Sequence, residues 1–256
     1  MRKIKGYVRF LQEEKVAYGE LQGNEIHELT GSYFVSPQRT GAVYDTSQVQ
    51  LLNPCLPSKI VCVGLNYPTG EDLKISPDPL LFMKPTSSII GPDEKIIHWP
   101  EVKELTFEAE LAIIIGQRTH RVSIEEAEKF ILGYTIANDV TARDLQRVDS
   151  QWTRSKSFDT FLPLGPIIRT DMSWENIRIR SWINGELYQD GNTHQMFLNV
   201  PYLISYISQI MTLEPGDIIL TGTPGGYGGL MKAGDRVDLE IEGIGRLTNS
   251  VIAFQE

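Results

Sequence analysis

The sequence predicts a β-rich α+β fold, with a curled sheet core and few helices. Strand-like segments outnumber helical ones by about three to one. The strands do not alternate with helices, which disfavours a doubly wound parallel sheet. Apolar residues make up 41% of the 256 residues and charged residues 22%, which is enough for a sizeable core.

The sequence predicts a small β domain over residues 1–57 and a larger domain over residues 58–256. The Pro-rich segment 53–57 marks the boundary between them. The small domain carries no chemical motif. Its predicted strands, with a turn at 22–24, cover residues 5–10, 15–21 and 25–29.

The larger domain combines buried strands, one hairpin and two helices. One helix is predicted from the capping pair Ser123 and Glu126 to Leu132, and the other over residues 200–211. Asn184-Gly185 predicts a type I′ turn in a hairpin over residues 177–188. The remaining predicted strands cover residues 60–64, 80–83, 105–115, 134–138, 217–221 and 237–242.

Charge and apolar patterning exclude several classes of protein. The formal charge of −9 disfavours a nucleic-acid partner, since duplex-binding proteins are usually basic. Strong apolar runs such as 111–115 are strand-sized, so no membrane span is expected. The N-terminus lacks the apolar core of a signal peptide, which predicts a cytoplasmic protein.

The two cysteines, Cys55 and Cys62, lie in or beside apolar stretches. They are interpreted as reduced, buried thiols. A zinc site would need more soft ligands nearby.

Three acidic residues are the first candidates for chemistry. Glu108 and Glu110 stand two apart on a predicted strand, so their side chains point the same way. Asp139 ends the next strand. Converging carboxylates would form a site for a hard cation, Mg²⁺, Mn²⁺ or Ca²⁺. The alternative is that the two glutamates form the solvated face of an edge strand.

Two further segments could contribute polar groups. Lys156 could transfer a proton, or it could be a surface lysine paired with Asp159. Arg143 and Gln146 could bind a carboxylate, or they could be ordinary surface residues of a helical turn. The glycine-rich segment 221–229 could approach an anion closely but lacks the lysine of a nucleotide-binding loop.

Six short segments follow one another in a specific order. They are Gly64-Leu65-Asn66-Tyr67, Phe82-Met83-Lys84-Pro85, Phe107-Glu108-Ala109-Glu110-Leu111, Asn138-Asp139-Val140-Thr141-Ala142-Arg143-Asp144, Lys156-Ser157-Phe158-Asp159 and Thr221-Gly222-Thr223-Pro224. This ordered set resembles the fumarylacetoacetate hydrolase family, in particular its bacterial 2-hydroxyhepta-2,4-diene-1,7-dioate isomerase and decarboxylase-like branch. The resemblance covers about residues 59–253.

This resemblance implies a mixed β-roll, a homodimer and one divalent metal ion per active site. It places the metal on Glu108, Glu110 and Asp139. It assigns Gln146, Lys156 and Thr223 to substrate contacts, with Lys156 close to the reacting carbons. Tyr67 and Arg143 are assigned to the substrate as well.

One departure from the family pattern bears on the reaction. Hydrolytic and many decarboxylating members carry a histidine three residues after the motif tyrosine and a glutamate three further on, where this chain has Gly70 and Leu73. Glu71 and Asp72 are the acids of this loop that could move protons, and Glu71 is the predicted catalytic group. The alternative is that both belong to a solvated loop tip.

The missing pair favours a reaction that needs no activated water. Hydrolysis of a C–C bond requires a positioned base, whereas tautomerisation or decarboxylation of a 2-oxo acid relies on a metal-stabilised enolate. The predicted enzyme is therefore an Mg²⁺-dependent isomerase or decarboxylase of a 2-oxo or 2-hydroxydienoate (di)carboxylic acid. An acylpyruvate-type C–C hydrolase and a catalytically impaired metal-binding protein remain open.

Overall fold

The computed structural model describes residues 5–68 and 76–255. In these residues there are twenty strands and three α-helices, joined by turns of 3₁₀ helix. The predicted β-rich α+β class is confirmed. Of the helices in these two ranges, none is long and apolar enough to cross a lipid bilayer.

Five strands form the N-terminal part, and the first three match the predicted strands. Along β1 and β2 buried side chains alternate with partly exposed ones, as expected for strands with one face on a core. The five are β1 (Lys5–Gln12), β2 (Lys15–Gln22), β3 (Glu25–Leu29), β4 (Arg39–Asp45) and β5 (Gln50–Leu51).

Fifteen strands and the helices follow in the described residues. The strands of the first half are β6 (Ile60–Gly64), β7 (Leu80–Lys84), β8 (Ile89–Ile90), β9 (Lys95–His98), β10 (Leu105–Phe107), β11 (Ala109–Ile115), β12 (Ile131–Asn138), β13 (Thr141–Ala142) and β14 (Leu162–Arg169). Those of the second half are β15 (Arg178–Ile183), β16 (Glu186–Asn192), β17 (Ile218–Leu220), β18 (Gly229–Met231), β19 (Arg236–Ile241) and β20 (Gly245–Ala253). The helices are α1 (Arg143–Val148), α2 (Thr153–Lys156) and α3 (Val200–Ile210).

One large mixed sheet organises the molecule, in the order β4-β3-β2-β1-β14-β12-β11-β17-β6-β7. Strands β17 and β6 pair parallel, and the other neighbours in this order pair antiparallel. The N-terminal strands join it through β1 and β14, where Gly6 lies opposite Arg169. A Cβ atom at Gly6 would stand 2.2 Å from the Ile168 carbonyl oxygen, so this approach requires glycine. The predicted domain boundary at residue 57 stays a prediction.

Two smaller sheets, β13-β10-β18 and β16-β15-β19-β20-β9, accompany the large one. Strand β11 is buried on both faces and lies at the centre of the core. Leu111 and Ile113 pack into one apolar cluster, and Ala112 and Ile114 into another on the opposite face. Burial on both sides explains the uninterrupted apolar run of this strand.

Two predicted elements have different limits in the structure. The helix predicted over 123–132 is wrong, because 3₁₀ turns end at Phe130 and Ile131 already pairs with Ile115 in the sheet. Strand pairing with β11 therefore overrides the local helix signal. The strand predicted over 105–115 is interrupted at Glu108, which separates β10 from β11.

Other local predictions are confirmed. Asn184 and Gly185 both have positive φ angles, 51° and 87°, as a type I′ turn requires. Helix α3 begins after Asn199, whose side chain accepts a hydrogen bond from the Tyr202 amide, and it ends at Ile210. Cys55 and Cys62 are buried free thiols.

Candidate active site

A cavity of about 270 Å³ opens where the ends of β6, β11, β12 and β17 meet β7, α1 and α2. Its lining brings together all the predicted site residues within the described ranges. These are Tyr67, Glu108, Glu110, Asp139, Arg143, Gln146, Lys156 and Thr223. Glu71, with its neighbours Gly70, Asp72 and Leu73, lies outside the described residues.

The interruption between β10 and β11 fixes Glu108 in the cavity. Its amide donates to Asn138 Oδ1 at 3.2 Å, and its carbonyl accepts the Asp139 amide at 3.0 Å. The segment that follows β12 is thereby tied to the turn that carries the first glutamate. This pairing explains how acids about thirty positions apart in the chain come to face one another.

The three carboxylates form a compact buried cluster. One oxygen from each of Glu108, Glu110 and Asp139 lies within 4.8 Å of the others. Their exposed fractions are 8%, 2% and 0%, so the alternative of a solvated edge face is wrong. Oxygen ligands at roughly 2.0–2.6 Å from a shared cation span such distances.

The environment of these acids opposes their full ionisation. Burial raises the pKa of Glu110 well above its usual range, and the neighbouring Asp139 and Glu108 raise it further. Burial also raises the pKa of Glu108, against the opposing effect of the Lys156 ammonium. At Asp139 burial is outweighed by Lys156 and Lys84, which lower its pKa. A divalent cation would relieve the repulsion that remains.

Two buried lysines supply positive charge. Lys156 Nζ lies 2.8 Å from Glu108 Oε2 and 2.5 Å from Asp139 Oδ2, so the surface pairing with Asp159 is wrong. Lys84 Nζ lies 2.6 Å from Asp139 Oδ1 and donates to the Val140 carbonyl at 3.0 Å. Burial favours the neutral amine of Lys156, but the attraction of Asp139 and Glu108 outweighs it and raises the lysine pKa. Burial lowers the pKa of Lys84.

Helix α1 presents the polar groups at the rim. Arg143 donates to Gln146 Oε1 at 2.5 Å and lies 3.9 Å from Glu108 Oε1. Its guanidinium also lies 4.6 Å from the centre of the Tyr227 ring. The side chain of Arg143 is 30% exposed, so it can reach a carboxylate that enters from solvent.

The glycine-rich segment closes the opposite side. Gly222 donates its amide to Glu110 Oε2 at 2.7 Å and has a φ of 91°. Thr223 Oγ1 donates to the Ala109 carbonyl at 2.8 Å. The loop is thus bonded to the glutamate strand, which the sequence did not predict.

Aromatic residues form the apolar wall. Phe82 and Trp152 pack edge to face at 5.2 Å, and Lys156 Nζ lies 5.0 Å from the centre of the Phe82 ring. Tyr67 is buried, and its hydroxyl has no hydrogen-bond partner among the described residues. All three aromatic side chains line the cavity.

Three residues of the site had no role assigned from the sequence. Lys84 and Asn66 lie in segments that carry the family resemblance, and a lysine at the end of an apolar strand was the available signal for the first. Asn66 joins three segments, since its side chain bonds to both the amide and the carbonyl of Leu198 and to the Thr221 carbonyl. Gln189 lies in the hairpin, about eighty positions from the glutamates, and nothing in the local sequence marks it.

The motif positions meet in one cavity, and a family model matches the same region. Residues 59–252 match the model described as the C-terminal domain of fumarylacetoacetate hydrolase. The chain belongs to the fumarylacetoacetate hydrolase family. Residues 7–54 match a second model, described as Rv2993c-like, N-terminal.

Relatives in this family are similar over most of the chain. An oxaloacetate tautomerase of rat mitochondria is 41% identical over 220 residues, which cover 80% of this chain and 70% of the relative. The structure of a 2-hydroxyhepta-2,4-diene-1,7-dioate isomerase from Mycobacterium marinum is 41% identical, with a TM-score of 0.91, and the match covers 99% of this chain and 100% of the other. A fumarylacetoacetate hydrolase from Exiguobacterium antarcticum is 35% identical, with a TM-score of 0.89, and covers 98% and 100%.

Proposed function

We propose that this protein is a divalent-metal-dependent enzyme that interconverts the keto and enol forms of a 2-oxo dicarboxylic acid. The observation that carries the proposal is the buried cluster of Glu108, Glu110 and Asp139 at the base of the cavity. Enzymes that act on 2-oxo acids need a positive centre beside the 2-oxo oxygen, because negative charge develops there.

The donor set fits a hard cation. All three groups are carboxylates, and oxygen-only protein ligands suit Mg²⁺, with Mn²⁺ or Ca²⁺ as alternatives. The ammonium groups of Lys84 and Lys156 pair with Asp139 and Glu108, and within the described residues Glu110 forms no ion pair before a cation binds. Bound there, the cation would polarise the 2-oxo group of the substrate as a Lewis acid.

Residues of the chain itself would orient the substrate and move its proton. Lys156 Nζ reaches the oxygens of both Glu108 and Asp139, so it lies beside any group bound to the cation. In the enol-to-keto direction we assign to its ammonium the proton that is added to the carbon next to the 2-oxo carbon, so that a C–H bond forms as the enol O–H bond breaks, and the resulting amine takes up the proton of that hydroxyl. Arg143 and Gln146 at the rim would bind the distal carboxylate. Glu71 stays a predicted second proton carrier.

The relatives support this reaction over others. The rat relative is an oxaloacetate tautomerase, and the M. marinum relative is a 2-hydroxyhepta-2,4-diene-1,7-dioate isomerase. Both reactions move a proton within the substrate. The cavity of about 270 Å³, which Tyr67 lines, suits a small polar substrate. Oxaloacetate is therefore the substrate to test first. A decarboxylase would use the same charge stabilisation.

C–C hydrolysis is the second candidate, favoured by the similarity to the hydrolase of E. antarcticum. It requires an activated water, and the histidine and glutamate that would activate it are replaced by Gly70 and Leu73. Losing a general base costs about 10²–10⁴-fold in rate where a base is needed. We therefore rank hydrolysis below tautomerisation. The implied homodimer stays a prediction.

The test compares three reactions of one preparation under the same Mg²⁺ conditions. Enol-oxaloacetate consumption is followed by ultraviolet absorbance, decarboxylation by pyruvate formation, and acetylpyruvate hydrolysis by acetate release. We expect tautomerisation to give the largest kcat/KM and to stop when EDTA removes the metal.

Two results would contradict the proposal. Efficient acetate release from acetylpyruvate would make the protein a hydrolase and require another base. No turnover of these substrates or of a 2-hydroxydienoate, together with clear Mg²⁺ binding, would identify the catalytically impaired metal-binding protein instead.

A further inference from the structure

Gln189 lies in β16, outside every segment that predicts the site, yet its carboxamide is buried beside the glutamates. The exposed fraction of the residue is 5%. Its Oε1 accepts the Ala109 amide at 3.2 Å and the Ser181 hydroxyl at 2.9 Å. Its Nε2 lies 2.7 Å from Thr223 Oγ1, 3.2 Å from the Pro224 carbonyl and 2.8 Å from the Gly226 carbonyl.

These bonds close a ring of three partners. The Ala109 amide donates to Gln189, Gln189 donates to the Thr223 hydroxyl, and that hydroxyl donates back to the Ala109 carbonyl. Ala109 stands between Glu108 and Glu110. Both polar backbone groups of the residue between the two glutamates are therefore held by side chains.

The same hairpin also packs against the loop through Gly191. A Cβ atom at Gly191 would lie 2.4 Å from Pro224 Cβ, so the strand touches the loop closely at this point. The loop needs such an anchor, because Gly222, Gly225 and Gly226 all have positive φ and place little restraint on its path.

We propose that Gln189 is a positioning residue, which sets the distance between the glutamate pair and the glycine-rich loop. Its effect on turnover rests on the proposed function. A substrate bound between the carboxylate cluster and Thr223 would be misplaced if the loop moved. Displacements of about 1 Å caused by residues that do not touch the substrate cost on the order of 10²-fold in rate.

The experiment compares Gln189→Met with Asn249→Leu. Asn249 is a matched control, because it is also a buried amide, and it donates to the Gly91 and Glu94 carbonyls at 2.9 Å without lining the cavity. Both variants lose the bonds of a buried amide and should lose comparable thermal stability. Gln189→Glu is the second variant, since it keeps the acceptor of the Ala109 amide but cannot donate to the two loop carbonyls.

We expect Gln189→Met and Gln189→Glu to lower kcat of enol-oxaloacetate turnover by about 10- to 100-fold. Affinity for Mn²⁺, measured by calorimetry, should persist because Glu108 keeps its bonds to Asn138 and Asp139. Asn249→Leu should keep wild-type kcat. If kcat falls in proportion to the melting temperature in all three variants, including Asn249→Leu, the inference is overturned.

Hydrogen exchange separates this inference from the proposed function. Amides of residues 221–229 should exchange faster in Gln189→Met than in wild type or in Asn249→Leu, at a temperature where all remain folded. Unchanged exchange of this loop would refute the positioning role even with an active enzyme. Faster exchange of this loop in Gln189→Met, together with no turnover by the wild-type protein, would support the positioning role and reject the proposed reaction.

Discussion

Glu110 is the acid of the cluster with the least local compensation. It accepts the Gly222 amide at 2.7 Å, whereas the Lys84 and Lys156 ammonium groups pair with Asp139 and Glu108. A buried charge without a full partner lowers the stability of the folded state. Stability and metal binding therefore oppose each other at this residue.

This opposition predicts the behaviour of Glu110→Gln. Without metal the variant should be more stable than wild type by about 0.5–2 kcal/mol, because it removes a repelled charge and keeps the acceptor for Gly222. Urea unfolding in EDTA measures this. Adding millimolar Mg²⁺ should raise the melting temperature of wild type and much less that of the variant. Equal Mg²⁺-induced shifts of the melting temperature in both proteins would exclude Glu110 as a metal ligand.

Replacing Lys156 should strengthen metal binding, whereas replacing Glu110 should weaken it. Its ammonium occupies Glu108 Oε2 and Asp139 Oδ2, so a cation must compete with it. In Lys156→Met we expect a larger Mg²⁺-induced rise in melting temperature than in wild type, together with a loss of turnover of about 10²–10⁴-fold. Lys129→Met, at a side chain 70% exposed, is the control. Wild-type kcat in Lys156→Met would exclude it from proton transfer.

At the scale of elements, the site depends on where strands end and loops turn. Glu108 enters the cavity at a break between β10 and β11, and Asp139 follows the end of β12. Gly222 follows β17 and must fit against Asn66, since a Cβ there would lie 3.1 Å from Asn66 Cβ and 3.2 Å from the Val63 carbonyl oxygen. The loop can approach Glu110 only because this space stays empty.

A comparison of two glycines tests the importance of that space. Gly222 and Gly225 both have positive φ, 91° and 73°, but nothing lies within 4 Å of a Cβ atom built at Gly225. Gly222→Ala should therefore cost about 1–3 kcal/mol more than Gly225→Ala, the range observed for overpacking. Mg²⁺ affinity should fall in the first variant alone. Equal losses of stability in urea would show that backbone strain, not crowding, determines the effect.

At the scale of the whole molecule, a single large sheet connects the N-terminal strands to the strands of the site. Cys55 lies in the segment between them, and Cys62 lies in β6 beside the cavity. Both thiols are buried, with exposed fractions of 1% and 0%. Burial, with a smaller contribution from Asp217, raises the pKa of Cys55 to about 12. Neither thiol is poised to react in the folded protein.

The thiols therefore report on global opening. With Ellman's reagent at pH 8, we expect no reaction in the native protein and two equivalents after denaturation in guanidinium chloride. Added Mg²⁺ should slow any residual reaction, because a cation that binds only the folded state reduces the population of open forms. Rapid modification of one thiol in the native protein would show that the strands around it open locally.

Local chemistry determined most of the elements from the sequence alone. Three elements that depend on neighbouring residues were predicted: the Asn184-Gly185 turn, the helix over residues 200–211 and the apolar strand of residues 111–115. The capping pair at Ser123 and Glu126 misled, because the adjoining residues 131–138 pair with β11 and long-range strand pairing outweighs a weak local helix signal.

For the site, the sequence supplied the residue types and their order, and the tertiary structure decided their charges and contacts. Two glutamates two positions apart were compatible with a solvated strand, and only the packing of β12 and β17 around β11 buries them. Lys84 and Gln189 were unassigned because their partners lie about 55 and 80 positions away. Hydrogen bonds and desolvation act between groups that are close in space, and the chain order does not contain those distances.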